Sequence, residues 1–173
     1  MKVLVFIPPN DFRDESLDMV RMFFERWNVG HDISSYSKKE CVGSHGATCM
    51  PDINTNKVSP ADYDGIVLLD GKGVDTYKLY ELRPLLDLVM QFNSGGKMIC
   101  AVGNAIRIVA RANIIKGKKI AMPEDEEAKR NILLFHGVPS GEGSEFSDNI
   151  ITIKSYGDIE GAMPAMLERI GVK

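Results

Sequence analysis

The chain has 173 residues, 44% of them apolar and 26% charged, the balance of one folded domain with a sizeable core. That balance excludes long disorder and low-complexity fibre, and no apolar run approaches the roughly 18 residues that a membrane helix needs. A formal net charge of -3 gives binding to nucleic acid or to an anionic membrane no electrostatic support, so neither is expected as a partner.

The opening Met1-Lys2-Val3-Leu4-Val5-Phe6-Ile7 is too short for a secretory segment and stops at Pro8-Pro9, so it reads as a first strand. With three cysteines, an odd number, the expected setting is a reducing cytoplasm rather than one that favours disulfides. Leu17, Val20, Phe24 and Trp27 then recur at helical spacing, with Asp14 and Glu15 in the first turn and Gly30 as the stop. His31 to Tyr36 reads as a second strand, and residues 40–50 as a β-ribbon around a glycine-rich turn. Residues 59–64 read as a turn leading into the buried strand Gly65 to Leu69. A tight loop, Asp70-Gly71-Lys72-Gly73, precedes a helix with Leu82, Leu85, Leu86, Val89 and Phe92 on one face. Pro84 requires a kink there or a fresh helix start.

Lys97 to Val102 reads as another strand, and Gly103 turns the chain into a helix carrying Ile106, Val109 and Ala110. A strand is expected around Ile120, another over Ile132 to Phe135, a flexible loop over Pro139 to Ser144 and a strand over Asn149 to Ile153. A last helix carries Ile159, Met163, Met166, Leu167 and Ile170. Alternation of this kind predicts a single α/β domain over residues 1–173, a three-layer αβα sandwich with a mostly parallel sheet.

In such sheets, ligands bind beyond the carboxyl ends of the strands. Two strand-to-helix turns are candidates: Asp70-Gly71-Lys72-Gly73 and Gly103-Asn104. The first is a poor dinucleotide loop, because position 76 is threonine and Asp70 would face a pyrophosphate. No cofactor is expected.

Gly43-Ser44-His45-Gly46, Pro51-Asp52 and Tyr63-Asp64-Gly65-Ile66-Val67-Leu68-Leu69 resemble the ThiJ/PfpI superfamily. So do Pro9-Asn10-Asp11-Phe12-Arg13-Asp14-Glu15 and Ile114-Ile115-Lys116-Gly117-Lys118-Lys119-Ile120. The resemblance runs from about residue 1 to 170. It implies a flavodoxin-like fold and a homodimer or larger homo-oligomer. It also implies a cysteine-dependent activity of hydrolase, protease-like, glyoxalase or deglycase type, in a family linked to stress response.

Carried over position by position, however, the family's site is not intact. Its elbow cysteine falls on Gly103, and the histidine that often follows falls on Asn104. Its acidic partner falls on Ser16, with Glu15 one residue away, and a late histidine falls on His136. Asp70 stands where the family usually has glycine, so an inward-pointing carboxylate would repel a developing oxyanion. Glycine has no atom to attack with, and Cys100, three residues upstream on a strand, reads as a small buried hydrophobe. The expectation is therefore a pseudoenzyme with a relict pocket at Ser16, Gly103, Asn104 and His136, able to hold a small-molecule ligand. The alternative is a weak enzyme using Glu15, His136 or water without covalent catalysis.

Cys41-x3-His45-x3-Cys49 offers three potential metal ligands, but zinc sites normally have closer cysteine pairs and a fourth ligand, and the family turn already explains this segment. No metal is expected. Glu124-Asp125-Glu126-Glu127 reads as a solvated helix start, and Arg107 and Arg111 as the solvent side of their helix.

Overall fold

The run Val3 to Ile7 has no polar side chain because the strand it builds is covered on both faces. In the computed structural model, which describes residues 1–171, all five of these side chains are fully buried. The elements in order are β1 (Lys2–Phe6), β2 (Asn10–Phe12), α1 (Asp14–Arg26), β3 (Gly30–Ser35), β4 (Cys41–Gly43), β5 (Thr48–Cys49), β6 (Ile53–Asn54) and β7 (Gly65–Leu68). Then come α2 (Lys72–Thr76), α3 (Arg83–Ser94), β8 (Met98–Val102), α4 (Ile106–Arg111), β9 (Lys119–Ala121) and α5 (Glu126–Leu134). β10 (Val138–Ser140), β11 (Ser144–Ser147), β12 (Ile150–Ile153) and α6 (Ile159–Arg169) complete the described chain.

The main sheet has seven strands in the order β11-β12-β8-β7-β1-β3-β6, all parallel except β11, which pairs antiparallel with β12. Side chains alternate across it. Leu4, Phe6, Ile66 and Leu68 meet α3 and α4 on one face, while Val3, Val5, Ile7 and Val67 meet α1 and α6 on the other. Each such fully buried side chain contributes about 1.5–3 kcal/mol of transfer free energy. This is the expected αβα sandwich. Two small sheets flank it, β2-β4-β5 and the parallel pair β9-β10.

Four expectations need correction. Ile132 to Phe135 is not a strand: residues through Leu134 belong to α5, whose cap is the Asp125 carboxylate accepting from the Glu127 amide at 3.0 Å. Ala128 and Ile132, four apart, are its buried stripe, and Leu133 and Leu134 face outward. Pro139 to Ser144 is not a free loop, because β10 and β11 claim its two ends. The helix expected to stop at Gly30 ends at Arg26, and Gly30 already belongs to β3. Arg107 is buried rather than solvent-facing: its guanidinium lies 3.7 Å from the Tyr80 ring centroid and pairs with Asp75. Pro84 resolves as a fresh start, in the first turn of α3.

Strand register brings the two candidate turns together. Leu68 on β7 pairs with Ala101 on β8, so two residues further along, at the carboxyl ends, Asp70 and Gly103 lie side by side.

Candidate functional site

Gly103 has φ +55, a backbone conformation that side chains other than glycine's adopt at a cost of about 1–2 kcal/mol. The space above it is taken. A Cβ added to Gly103 would lie 2.7 Å from Asp70 Oδ2 and 2.9 Å from Asp70 Cβ. The Asp70 carboxylate points inward and is 5% exposed, so it cannot swing clear into solvent. Both of its oxygens are engaged: Ser16 Oγ donates to Oδ1 at 2.6 Å and Arg13 Nε to Oδ2 at 3.1 Å. Burial pushes the Asp70 carboxyl above the ordinary carboxylate range, against the opposing pull of Ser16 and Arg13. Position 16 thus carries a hydroxyl and position 70 the carboxylate that accepts from it.

Asn104 is a clamp. Its side chain accepts from the Gly71 amide at 3.1 Å and donates to the Gly71 carbonyl at 2.8 Å, tying the ends of β7 and β8 together. The Gly71 amide is therefore not free to face an oxyanion. Gly71 itself sits at φ +145, and a Cβ there would come within 2.2 Å of the Asp11 carbonyl. Above these turns lies a cleft of about 270 Å³, whose walls include Arg13, Lys72, Gly103, Asn104, Lys154 and Ser155.

The hairpin β4-β5 builds a second cavity next to it. Asp14 is buried at the start of α1 and accepts from the His45 amide at 3.2 Å and the Ala47 amide at 2.9 Å, which fixes the Gly43-to-Gly46 turn. Burial alone would raise the Asp14 carboxyl, but the Ala47 and His45 amides outweigh it and hold it below its ordinary value. On that turn His45 Nδ1 meets Glu15 Oε1 at 2.7 Å, while Glu15 Oε2 is buried without a donor. The cavity is about 300 Å³ and is lined by Arg13, Glu15, Ser44, His45, Gly71 and Lys72. Arg13, Gly71 and Lys72 line both spaces.

Of the residues singled out from sequence, Ser16, Asp70 and Gly103 come together, and Asn104 lines the same cleft. Glu15 turns away from the elbow towards His45. His136 is not part of the pocket. It is exposed after α5, and its carbonyl accepts from the Gly117 amide at the start of the β9-β10 pair, whereas the cleft lies near Pro123, past the other end. Cys41, His45 and Cys49 do not converge either: the two cysteines face each other across the hairpin within the core beside α1, and His45 is engaged with Glu15. Cys100 is 1% exposed inside the sheet, its thiol pushed up to about 12 by burial. Sequence reasoning missed Arg13, Lys72 and the Glu15–His45 pair. The signal was there in the motifs themselves: Arg13 and Glu15 stand in the first of them, and Lys72 follows Asp70-Gly71.

A three-layer sandwich with its site at the crevice between β7 and β8 defines the flavodoxin-like class. Within it, the family description DJ-1/PfpI matches residues 1–132, and the chain belongs to the DJ-1/PfpI family. It is 34% identical over 154 residues to an uncharacterized protein of Methanocaldococcus jannaschii, covering 89% of this chain and 75% of that one. It is 26% identical over 121 residues to the deglycase PfpI of Pyrococcus furiosus, covering 69% and 70% of the two chains. The fold is that of a ThiJ/PfpI domain protein from Brachyspira murdochii, with TM-score 0.90 at 20% identity over 99% of this chain and 95% of that one. No helix among the described residues is long and apolar enough to cross a membrane.

Proposed function

We propose that this chain binds a small molecule without covalent thiol chemistry, as a non-catalytic, chaperone-like or stress-related homo-oligomer in the cytoplasm. One observation carries this reading: the Asp70 carboxylate fills the space over Gly103 where an attacking side chain would have to stand. Cys100, the nearest cysteine in sequence, is sealed in the sheet and held as a thiol by burial. The relatives named deglycases are therefore a guide to the scaffold and not to the reaction. Purified protein is expected to leave methylglyoxal unconsumed, to show no thiol that reacts unusually fast with iodoacetamide near neutral pH, and to run as a dimer or larger by light scattering. Turnover that vanishes when a cysteine is removed would overturn the proposal.

A second reading, a weak hydrolase or glyoxalase/deglycase-type enzyme without covalent cysteine catalysis, draws on the Glu15–His45 contact. A carboxylate on Nδ1 orients an imidazole for proton transfer. Activity lost in His45→Gln and indifferent to all three cysteines would replace the first reading with this one.

A further inference from the structure

Building on the reading of a site that binds without covalent chemistry, we propose that the cavity between the hairpin turn and α2 binds a small oxyanion. The anion is a carboxylate or phosphate group, held by Arg13 and Lys72, with His45 lining the same space. Arg13 and Lys72 line one space of about 300 Å³ together with His45, and each of the two keeps donors with no protein acceptor among the described residues. The Lys72 ammonium forms no ion pair among the described residues. Arg13 uses only Nε, on Asp70, so its terminal guanidinium nitrogens are unassigned. His45 uses Nδ1 on Glu15, leaving Nε2 as the ring nitrogen without a partner among the described residues.

Most of the acidic oxygens around them already have partners. Asp70 takes Ser16 and Arg13, Asp14 takes two amides of the hairpin turn, Asp75 takes Arg107, and Glu15 takes His45 through Oε1, its Oε2 remaining without a donor among the described residues. The terminal nitrogens of Arg13 and the Lys72 ammonium are the donors that remain for a ligand. The chain as a whole is acidic, so this concentration of donors is local and not a by-product of net charge.

Arg13 and the turn opposite it are also held in place before any ligand arrives. Asp14 fixes the backbone that carries His45, and Glu15 fixes the ring. Arg13 is held by Asp70 on one side and lies 4.9 Å from the Tyr156 ring centroid on the other. Ordering costs that a flexible site would incur on binding are thereby reduced. A planar guanidinium and a compact ammonium together suit a group with two or three oxygens.

The test is a titration of isotope-labelled protein followed by NMR, with inorganic phosphate and pyruvate in separate arms and ionic strength held constant with chloride. The expected result is saturation at one ion per chain, with shifts confined to Arg13, Lys72, the His45 ring and the Ser44–Ala47 turn. Whichever arm binds more tightly names the group. Lys72→Ala, an exposed change that leaves the core untouched, is expected to weaken binding about tenfold. Shifts that never saturate, or an affinity unchanged in Lys72→Ala, would overturn the site. That failure would leave the thiol-free reading standing, whereas cysteine-dependent consumption of methylglyoxal would remove that reading whatever the titration gives.

Discussion

Two pockets share the wall made by Arg13, Gly71 and Lys72, and they treat their charged groups in opposite ways. At the elbow the polar side chains of the two turns are matched inside the protein: Asp70 with Ser16 and Arg13, Asn104 with Gly71. At the hairpin, Glu15 Oε2 has no donor and Arg13 and Lys72 keep donors without a protein acceptor among the described residues. The difference lies in what each backbone segment was left to hold. Where a side chain is absent, as at Gly103, a neighbour has closed in; where a turn is propped from beneath by Asp14, the side chains on it stay presented to solvent. Closure and presentation thus sit a few residues apart on one crevice.

The strongest way to break the contrast is to put a thiol back. Gly103→Cys alone is expected to destabilise the fold by about 2–4 kcal/mol, from the left-handed backbone and the overlap with Asp70. Combining it with Asp70→Gly should recover roughly half of that in urea unfolding. A single variant as stable as the parent would mean that Asp70 does not fill that space. Adding Ser16→Glu without Asp70→Gly should make matters worse, because two carboxylates would then share the room that one occupies now.

A smaller effect sharpens the other side. Asp14→Ala leaves the His45 and Ala47 amides without their acceptor and is expected to cost on the order of 1–3 kcal/mol. Hydrogen exchange at those two amides should accelerate while the Gly71 amide, clamped by Asn104, keeps its protection. Equal acceleration at all three would show that the two pockets are one unit.

The smallest effect is in the pH dependence of stability, and the two acids have opposite signs. Asp70 is raised, so the native state binds its proton more readily than the unfolded chain does. Its contribution to stability grows as pH falls from the raised value towards the unfolded value of about 3.9. Asp14 is lowered, so its contribution is present above about 3.9 and is lost as pH falls through its native value. Asp70→Asn should therefore compare best with the parent near neutrality and lose ground as the solution is acidified. A difference that stays flat across that range would contradict the burial assigned to Asp70.

Much of the fold was legible because parallel strands covered on both faces are written as unbroken apolar runs, as in Val3 to Ile7 and Ile66 to Leu69. Ile132 to Phe135 failed for the same reason in reverse. A four-residue apolar run carries no period of its own, and the Asp125 cap that makes it helical lies seven residues upstream. At the site, the glycine where the resemblance implies a cysteine could be counted from motif spacing. What stands over it could not, since which way Asp70 points depends on Ser16 and Arg13, 54 and 57 residues earlier in the chain. Glu15 does meet a histidine, but only the hairpin's position in space selects His45 over His136.

The borders of the large sheet bear on how copies of the chain can meet. On one side the outermost strand, β6, has two residues; on the other, β11 is reversed and has the β9-β10 pair packed beside it, with Ser147 Oγ donating to the Lys119 carbonyl at 3.3 Å. Neither border offers a neighbour a long row of open peptide groups to zip onto. Growth of the main sheet by strand addition from one copy to the next is therefore disfavoured at both of its borders.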